Sequence, residues 1–251
     1  MALFAYRQQV ERLLQDTQQV LYNLADIDVY INDARVQIAL AAECIRQPAQ
    51  IAMVQGQQSY AFSSATFTAA PTIPAGLGGV GNVRSCMLVL ATTNPQGQPG
   101  QKRIPIRAWE WFESYYLAVN VPTQGAPVIS ARLQPGLVGT LWFAPPPDAA
   151  YQINLDAVAY PAALATDADP EALPYPWTDA VPFFAAYLAY LSTQNADAAQ
   201  KMWIEYSKFQ QRGTQITTPT RTPYKYPGGM GAQEAMQKVP LTGGLQRQGG
   251  G

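Results

Sequence analysis

The chain reads as an α+β protein. N- and C-terminal helices form an α-helical bundle, an antiparallel β domain is inserted between them, and an extended Gly/Pro-rich arm closes the chain. Three observations predict this. Apolar residues recur at helical spacing over 4–16 and 23–46. Short β-prone segments separated by Pro, Gly and Asn fill the middle. Helical spacing returns after residue 173 and stops at 213. The organisation is therefore 1–50 for the first helices, 51–172 for the β insertion, 173–213 for the last helices and 214–251 for the arm.

In 4–16, Tyr6, Val10, Leu13 and Leu14 stand at i, i+4, i+7 and i+8, the pattern of a short amphipathic helix. Residues 18–22 read as a brief extended piece. Asn23 is placed to cap the next helix, with Asp26 at its third position. Asp26 and Asp28 fall in the first turn, where the helix dipole favours negative charge. Ile27, Tyr30, Ile31, Ala34, Ile38, Ala41, Ala42 and Ile45 form an apolar stripe, and Pro48 stops the helix near Arg46.

Segments 51–54, 58–62, 86–91, 102–108, 115–119, 127–131, 138–143 and 150–155 are short and β-prone, at the spacing of an antiparallel sandwich or barrel. GLGGVGN (76–82) and NPQGQPGQ (94–101) read as loop tips, and Gln55-Gly56-Gln57 as a tight turn. GLGGVG is not a nucleotide loop, because no strand–loop–helix unit of adequate length surrounds it.

The stretch LPYPWTDAVPFFAAYLAYLSTQNADAAQKMWIEYSKFQQRG (173–213) mixes small residues with large rings over two helices. Small residues let helices approach closely, and rings fill the remaining space. Thr178 is placed to cap the first helix, and Pro182 is tolerable only near its start. The second begins near Asn195 or Ala196, with Gly213 as its stop. None of the terminal helices is long enough to be stable alone, so they belong to one bundle. From Thr214 on, TTPTRTPYKYPGGMG and GGLQRQGGG cannot bury enough apolar surface to offset their ordering entropy.

Charged residues make up 13% of the chain, against about 25% in a typical domain. Such a composition suits a surface that becomes interface, since charge is depleted at interface cores; a compositional bias of the source genome accounts for it equally well. The net charge of −1 gives no general pull toward nucleic acid or anionic membrane. The arm departs from this: Arg221, Lys225, Lys238 and Arg247 stand against Glu234 alone, which is +3 (4 − 1) on a slightly acidic body. No apolar run approaches a membrane span, and MALFAYRQQ lacks a signal-peptide core, so the expectation is synthesis in the cytoplasm.

Tests for chemistry come out negative. The chain has no histidine, hence neither the commonest general base nor the commonest metal ligand. Cys44, on an apolar helix face, and Cys86, in a strand, read as buried free thiols, and two cysteines alone make no zinc site. Glu110 with Glu113, or Asp167 with Asp169, are the acid pairs to consider for glycoside hydrolysis; both sit in polar or turn-like sequence and read as solvated surface. Asp156, Asp167, Asp169 and Glu171 lack an EF-hand loop, and TDADPE (166–171) reads as a turn. No serine has a histidine partner or a nucleophile elbow. The expectation is a protein that is not an enzyme and holds no cofactor or metal.

Trp109, Trp111, Phe112, Tyr115 and Tyr116 form the aromatic run AWEWFESYY. Two readings stay open for it. The rings stack on a sugar, as in a carbohydrate- or receptor-binding component, or they complete the sheet core and meet another subunit. Glu110 and Glu113 argue against nucleic acid, which pairs stacking rings with Lys or Arg.

Several segments, in order, resemble one family. IDVYINDARVQIALAAECI (27–45) is similar to its second helix, centred on Ile31, Asn32, Ala34 and Arg35. VQGQQSYAF (54–62) resembles the opening strand pair of its inserted β domain, and APPPDAAYQINLDAVAYPAAL (144–164) the closing strand and proline turn. LPYPWTDAVPFFAAYLAYL (173–191) and ADAAQKMWIEYSKFQQR (196–212) resemble its last helices. The family is the head-to-tail connector adaptors of short-tailed bacteriophages, and the likeness covers residues 1–213.

The resemblance implies a structural virion protein of the neck. It implies a homo-oligomeric, dodecameric ring fastened beneath the portal protein, with the helical bundle as ring wall and the genomic DNA passing through without sequence-specific binding. The arm would reach the portal, with Arg221, Tyr224, Lys225, Tyr226, Met230, Leu241, Leu245 and Arg247 as its contacts. The β insertion would face the tail nozzle and the tail fibres or spikes, with Trp109, Trp111, Phe112 and Tyr115 as contacts. It also implies synthesis in the host cytoplasm and no membrane partner.

Overall fold

The computed structural model of the chain describes residues 3–16, 18, 20–68, 75–93, 99–117, 123–134 and 136–217. The chain divides into two units, Met1–Gly213 and Thr214–Gly251. Helix α1 (Leu3–Leu14) and helix α2 (Leu24–Ala42) lead into strand β1 (Arg46–Ala52). Strands β2 (Ser59–Ala61), β3 (Thr66–Phe67), β4 (Leu77–Thr93), β5 (Pro99–Ile104) and β6 (Ile106–Arg107) follow. A helical turn α3 (Trp109–Phe112) continues as one π-helical turn (Glu113–Leu117). Strands β7 (Ile129–Leu133), β8 (Thr140–Ala144) and β9 (Gln152–Pro161) complete the sheets. A 3-10 turn (Trp177–Ala180) opens helix α4 (Val181–Ser192), and helix α5 (Ala196–Thr217) ends the described chain.

The fold class is α+β, as the sequence predicts. The helices before and after the strands share one core: Tyr6 and Val10 of α1, Ile27, Ile31 and Ile38 of α2, and Ala185, Ala186 and Ala189 of α4 are all buried together. The alanines of α4 leave room for α1 and α2 to pack closely against it. Asn23 caps α2, its side-chain oxygen accepting from the Asp26 N–H at 2.8 Å. Ala159 of β9 belongs to the same core, so the bundle rests on one end of the larger sheet.

The larger sheet is antiparallel with order β3-β1-β9-β4-β5, and the smaller has order β2-β8-β7-β6. A second core lies between the two sheets: Ile51, Val83, Cys86, Leu88, Ile153 and Leu155 from one meet Tyr60, Leu141 and Phe143 from the other. The smaller sheet holds one parallel pair, β6 with β7, because the chain crosses over through α3 between them.

Several local expectations are corrected. Residues 77–82 are strand rather than loop tip: they open β4, whose register against β9 shifts at three places. The glycines serve close approach. A Cβ on Gly78 would stand 2.5 Å from the Tyr160 ring, and one on Gly81 would stand 2.3 Å from Leu40 Cδ2 of α2. Residues 115–117, expected as strand, are in the π-helical turn, because burial of Phe112 fixes the segment as helix. Helix α2 stops at Ala42, with Glu43 in the left-handed region, and Arg46 already belongs to β1. Cys44 therefore lies past the helix, half-buried in the link to β1. Thr178 caps nothing; it is buried within the 3-10 turn. Residues 99–101 belong to β5 rather than to a loop tip, while 94–98 lie outside the described residues. Helix α5 runs through Gly213 to Thr217, since one glycine costs a helix only about 1 kcal/mol.

Candidate protein–protein interfaces

The aromatic run is built on two faces of one short helical segment. Phe112 points inward and is fully buried against Ile129, Ala131 and Ala144 on the outer side of the smaller sheet. Trp109 stacks on Phe112 at 5.8 Å and meets Trp142 of β8 edge-on at 5.4 Å. Alternation along β8 explains this: Leu141 and Phe143 face the inter-sheet core, while Trp142 and Ala144 face α3.

Trp111 and Tyr115 point the other way. They stack on each other at 5.0 Å with 14° between planes, and are 41% and 52% exposed. The Arg107 guanidinium lies 5.7 Å from the Trp111 ring centre. Spacing of four residues along a helix brings the two rings together. The four sequence-predicted residues thus separate into two packing rings, Trp109 and Phe112, and two exposed ones, Trp111 and Tyr115. A sugar needs an open ring face. Tyr115 lies parallel over Trp111 and the Arg107 guanidinium lies near the same Trp111 ring, so the open ring surface of the pair is mainly that of Tyr115.

A second exposed apolar surface involves the last helix. Helix α5 is held by Ala199 and Tyr206, which are buried, and by ring contacts: Phe183 with Phe209 at 5.1 Å, Phe184 with Tyr206 at 4.8 Å and Tyr187 with Trp203 at 5.2 Å. Trp203 and Ile204 remain exposed on it, as does Leu191 at the end of α4.

A third surface was not legible in the sequence. The loop after α1 is not an extended piece. The Asp16 carboxylate accepts the backbone N–H groups of Val20, Leu21 and Tyr22 at 2.8–2.9 Å. Burial pushes its carboxyl up, but these three amides outweigh that and hold it below the usual range. With their amides held by Asp16, Val20 and Leu21 face solvent. No motif signals this, because the carboxylate and its donors are related only by loop geometry.

Four of the acidic residues weighed for chemistry are already engaged. Asp156 pairs with Arg46, Asp167 accepts the Phe4 N–H, and Asp169 accepts those of Ala165 and Thr166. Glu171 pairs with Arg35. Glu110 and Glu113 lie on the exposed side of the aromatic segment. Burial pushes the Cys44 and Cys86 thiols up to about 12. Among the described residues no group of three or more His, Cys, Asp or Glu could hold a metal ion, and no helix is long and apolar enough to cross a membrane.

The predicted arm contacts Arg221, Tyr224, Lys225, Tyr226, Met230, Leu241, Leu245 and Arg247 lie outside the described residues. A family model described as SU10 adaptor protein matches residues 2–225, which takes in all the described helices and strands and the first part of the arm. Tyr226, Met230, Leu241, Leu245 and Arg247 fall beyond the match. No curated protein matches the chain. With a match over nearly its whole length, the chain belongs to the SU10 adaptor protein family and is a structural adaptor of the bacteriophage virion.

Proposed function

We propose that the chain is a head-to-tail adaptor: a dodecameric ring in the neck of the virion, seated between the portal protein and the tail, through which the genome passes. The observation that carries this is the family match over 2–225, which includes both sheets and the bundle. In this reading the bundle of α1, α2, α4 and α5 builds the ring wall. The near-neutral body lets DNA slide without sticking, since a basic lumen would retain it. The arm of 214–251, with its +3 charge, docks on the portal and becomes ordered there, which lets a short segment cover a large area. Its Arg and Tyr residues suit anchor positions.

The two sheets are the insertion that reaches toward the tail nozzle and fibres, and Trp111 with Tyr115 is the contact it offers. The test is truncation. A chain ending at residue 213 should keep the circular dichroism of its helices and strands and should fail to capture portal protein in a pull-down. Undiminished capture by the truncated chain would refute the arm's role. A glycan array supplies the check on the sugar reading of the aromatic run, and the adaptor assignment predicts no binding to it.

A further inference from the structure

Helices α2 and α5 each present a stripe to solvent. On α2, Asp26, Val29, Asp33 and Gln37 follow at steps of three, four and four residues, which sets them on one helix face. All are exposed, Val29 by 56%. On α5, Lys201, Ile204, Lys208 and Arg212 follow at the same steps, and all are exposed, Ile204 by 45%. Each stripe thus centres on a β-branched apolar residue between two like charges, acidic on α2 and basic on α5.

Among the described residues neither set of charges is used up. The only base on α2 is Arg35, which is buried on Glu171, and Asp28 is taken by Arg7. Asp33 and Lys201 have no ion pair among the described residues. Among the described residues the Asp26 carboxylate accepts only the exposed Asn23 side-chain amide. Lys208 reaches Glu205 within its own helix, an exposed pair of little worth, and Arg212 lies over the Phe209 ring.

We propose that the α2 stripe of one copy docks on the α5 stripe of a second copy. Val29 then meets Ile204, and Asp26 and Asp33 meet Lys201 and Lys208. The exposed Trp203 beside Ile204 extends the apolar contact. Charge selects this pairing against the alternatives: α2 on α2 would bring Asp33 against acid, and α5 on α5 would bring Lys201 against base. Two different surfaces in contact make a head-to-tail interface, which propagates from copy to copy and closes where the rotation allows. This rests on the ring reading above and names the surfaces that would build it.

The test uses the full chain and two charge-reversed variants, Asp26→Lys/Asp33→Lys and Lys201→Glu/Lys208→Glu, with folding checked by circular dichroism. In sedimentation, each variant alone should self-associate more weakly than the natural chain, on the order of tenfold. An equal mixture should recover, because each reversed α2 then meets a reversed α5 and each natural α2 a natural α5. As a trap that keeps the native charges, a Val29→Cys copy mixed with an Ile204→Cys copy under mild oxidant should give a mixed disulfide in excess of either like pair. If the natural chain associates but the variants match it, the mixture stays weak, or like pairs form as often as mixed ones, the docking is overturned and the ring is not. If the natural chain stays monomeric at every concentration, with and without portal, and no mixed disulfide forms, the ring reading falls as well.

Discussion

The Arg35 guanidinium, wholly shut off from solvent, forms a forked ion pair with Glu171, donating to the two carboxylate oxygens at 2.8 and 3.0 Å. The pair joins α2 to the segment that leads from β9 back into the last helices. Further bonds hold it: Arg35 also donates to the Ala162 carbonyl and to Asn32, while Glu171 accepts from the Tyr6 hydroxyl at 2.8 Å and from the Leu173 N–H. Three separated parts of the chain meet on one carboxylate.

Removing either charge alone should be severe. Glu171→Ala leaves a buried guanidinium without its counter-ion and should cost about 3–5 kcal/mol. By differential scanning this is a fall in Tm of roughly 6 °C or more. The double change Arg35→Met/Glu171→Leu removes both charges and should be much less harmful than either single one.

The same pair sets an acid limit. Burial pushes the Glu171 carboxyl up, but Arg35, the Leu173 amide and the Tyr6 hydroxyl outweigh it and hold the group below its ordinary 4.5. The unfolded chain then takes up its proton at higher pH than the native one. The stabilisation is whole above about pH 4.5 and drains away as pH falls through the lower native value. Asp169, held low by the Thr166 and Ala165 amides, works in the same direction. Urea midpoints should decline on acidification, and Glu171→Gln should flatten that decline. Between about pH 6 and 8 the midpoint should be level, since the chain has no histidine.

Glycine substitutions should rank by what the new methyl meets. At Gly76, with φ of +81°, a Cβ would stand 2.4 Å from the Pro170 carbonyl oxygen, so backbone must move. Gly76→Ala should cost about 2–4 kcal/mol. Gly81→Ala meets only the end of the Leu40 side chain, which can turn aside, and should cost less. Paired denaturation curves of the two variants check the order.

The aromatic segment should split by face. Phe112→Ala empties a fully buried site and should lose about 3–5 kcal/mol. Trp111→Ala and Tyr115→Ala alter an exposed pair and should leave the thermal midpoint within about 2 °C. The functional consequence is reversed: the exposed pair, rather than Phe112, should govern capture of tail components in pull-downs with the purified partner.

Much of this architecture was legible in the chain itself. The spacing of Tyr6, Val10 and Leu14, the Asn23 cap with Asp26 three residues on, and the small residues of α4 are local signals, carried by neighbours within a few turns. The Pro- and Gly-punctuated middle announced short strands for the same reason, and the ordered set of segments pointed to the adaptor family. Where a segment's conformation is decided by what it packs on, the chain was silent or misleading. GLGGVG became bulged strand because Tyr160 and Leu40 lie over it, and AWEWFESYY divided into core and surface because one side of the smaller sheet needed covering.

Sequence alone determined the fold class, the family and the lack of a histidine-based chemistry, because periodicity, caps and composition need no partner to be read. Only the tertiary structure decided that Glu171 would meet Arg35 across 136 residues, that Asp16 would hold up Val20 and Leu21, and that two oppositely charged helix faces would both be left to solvent. Burial and pairing belong to the folded arrangement, since they depend on contacts between residues that no local pattern connects.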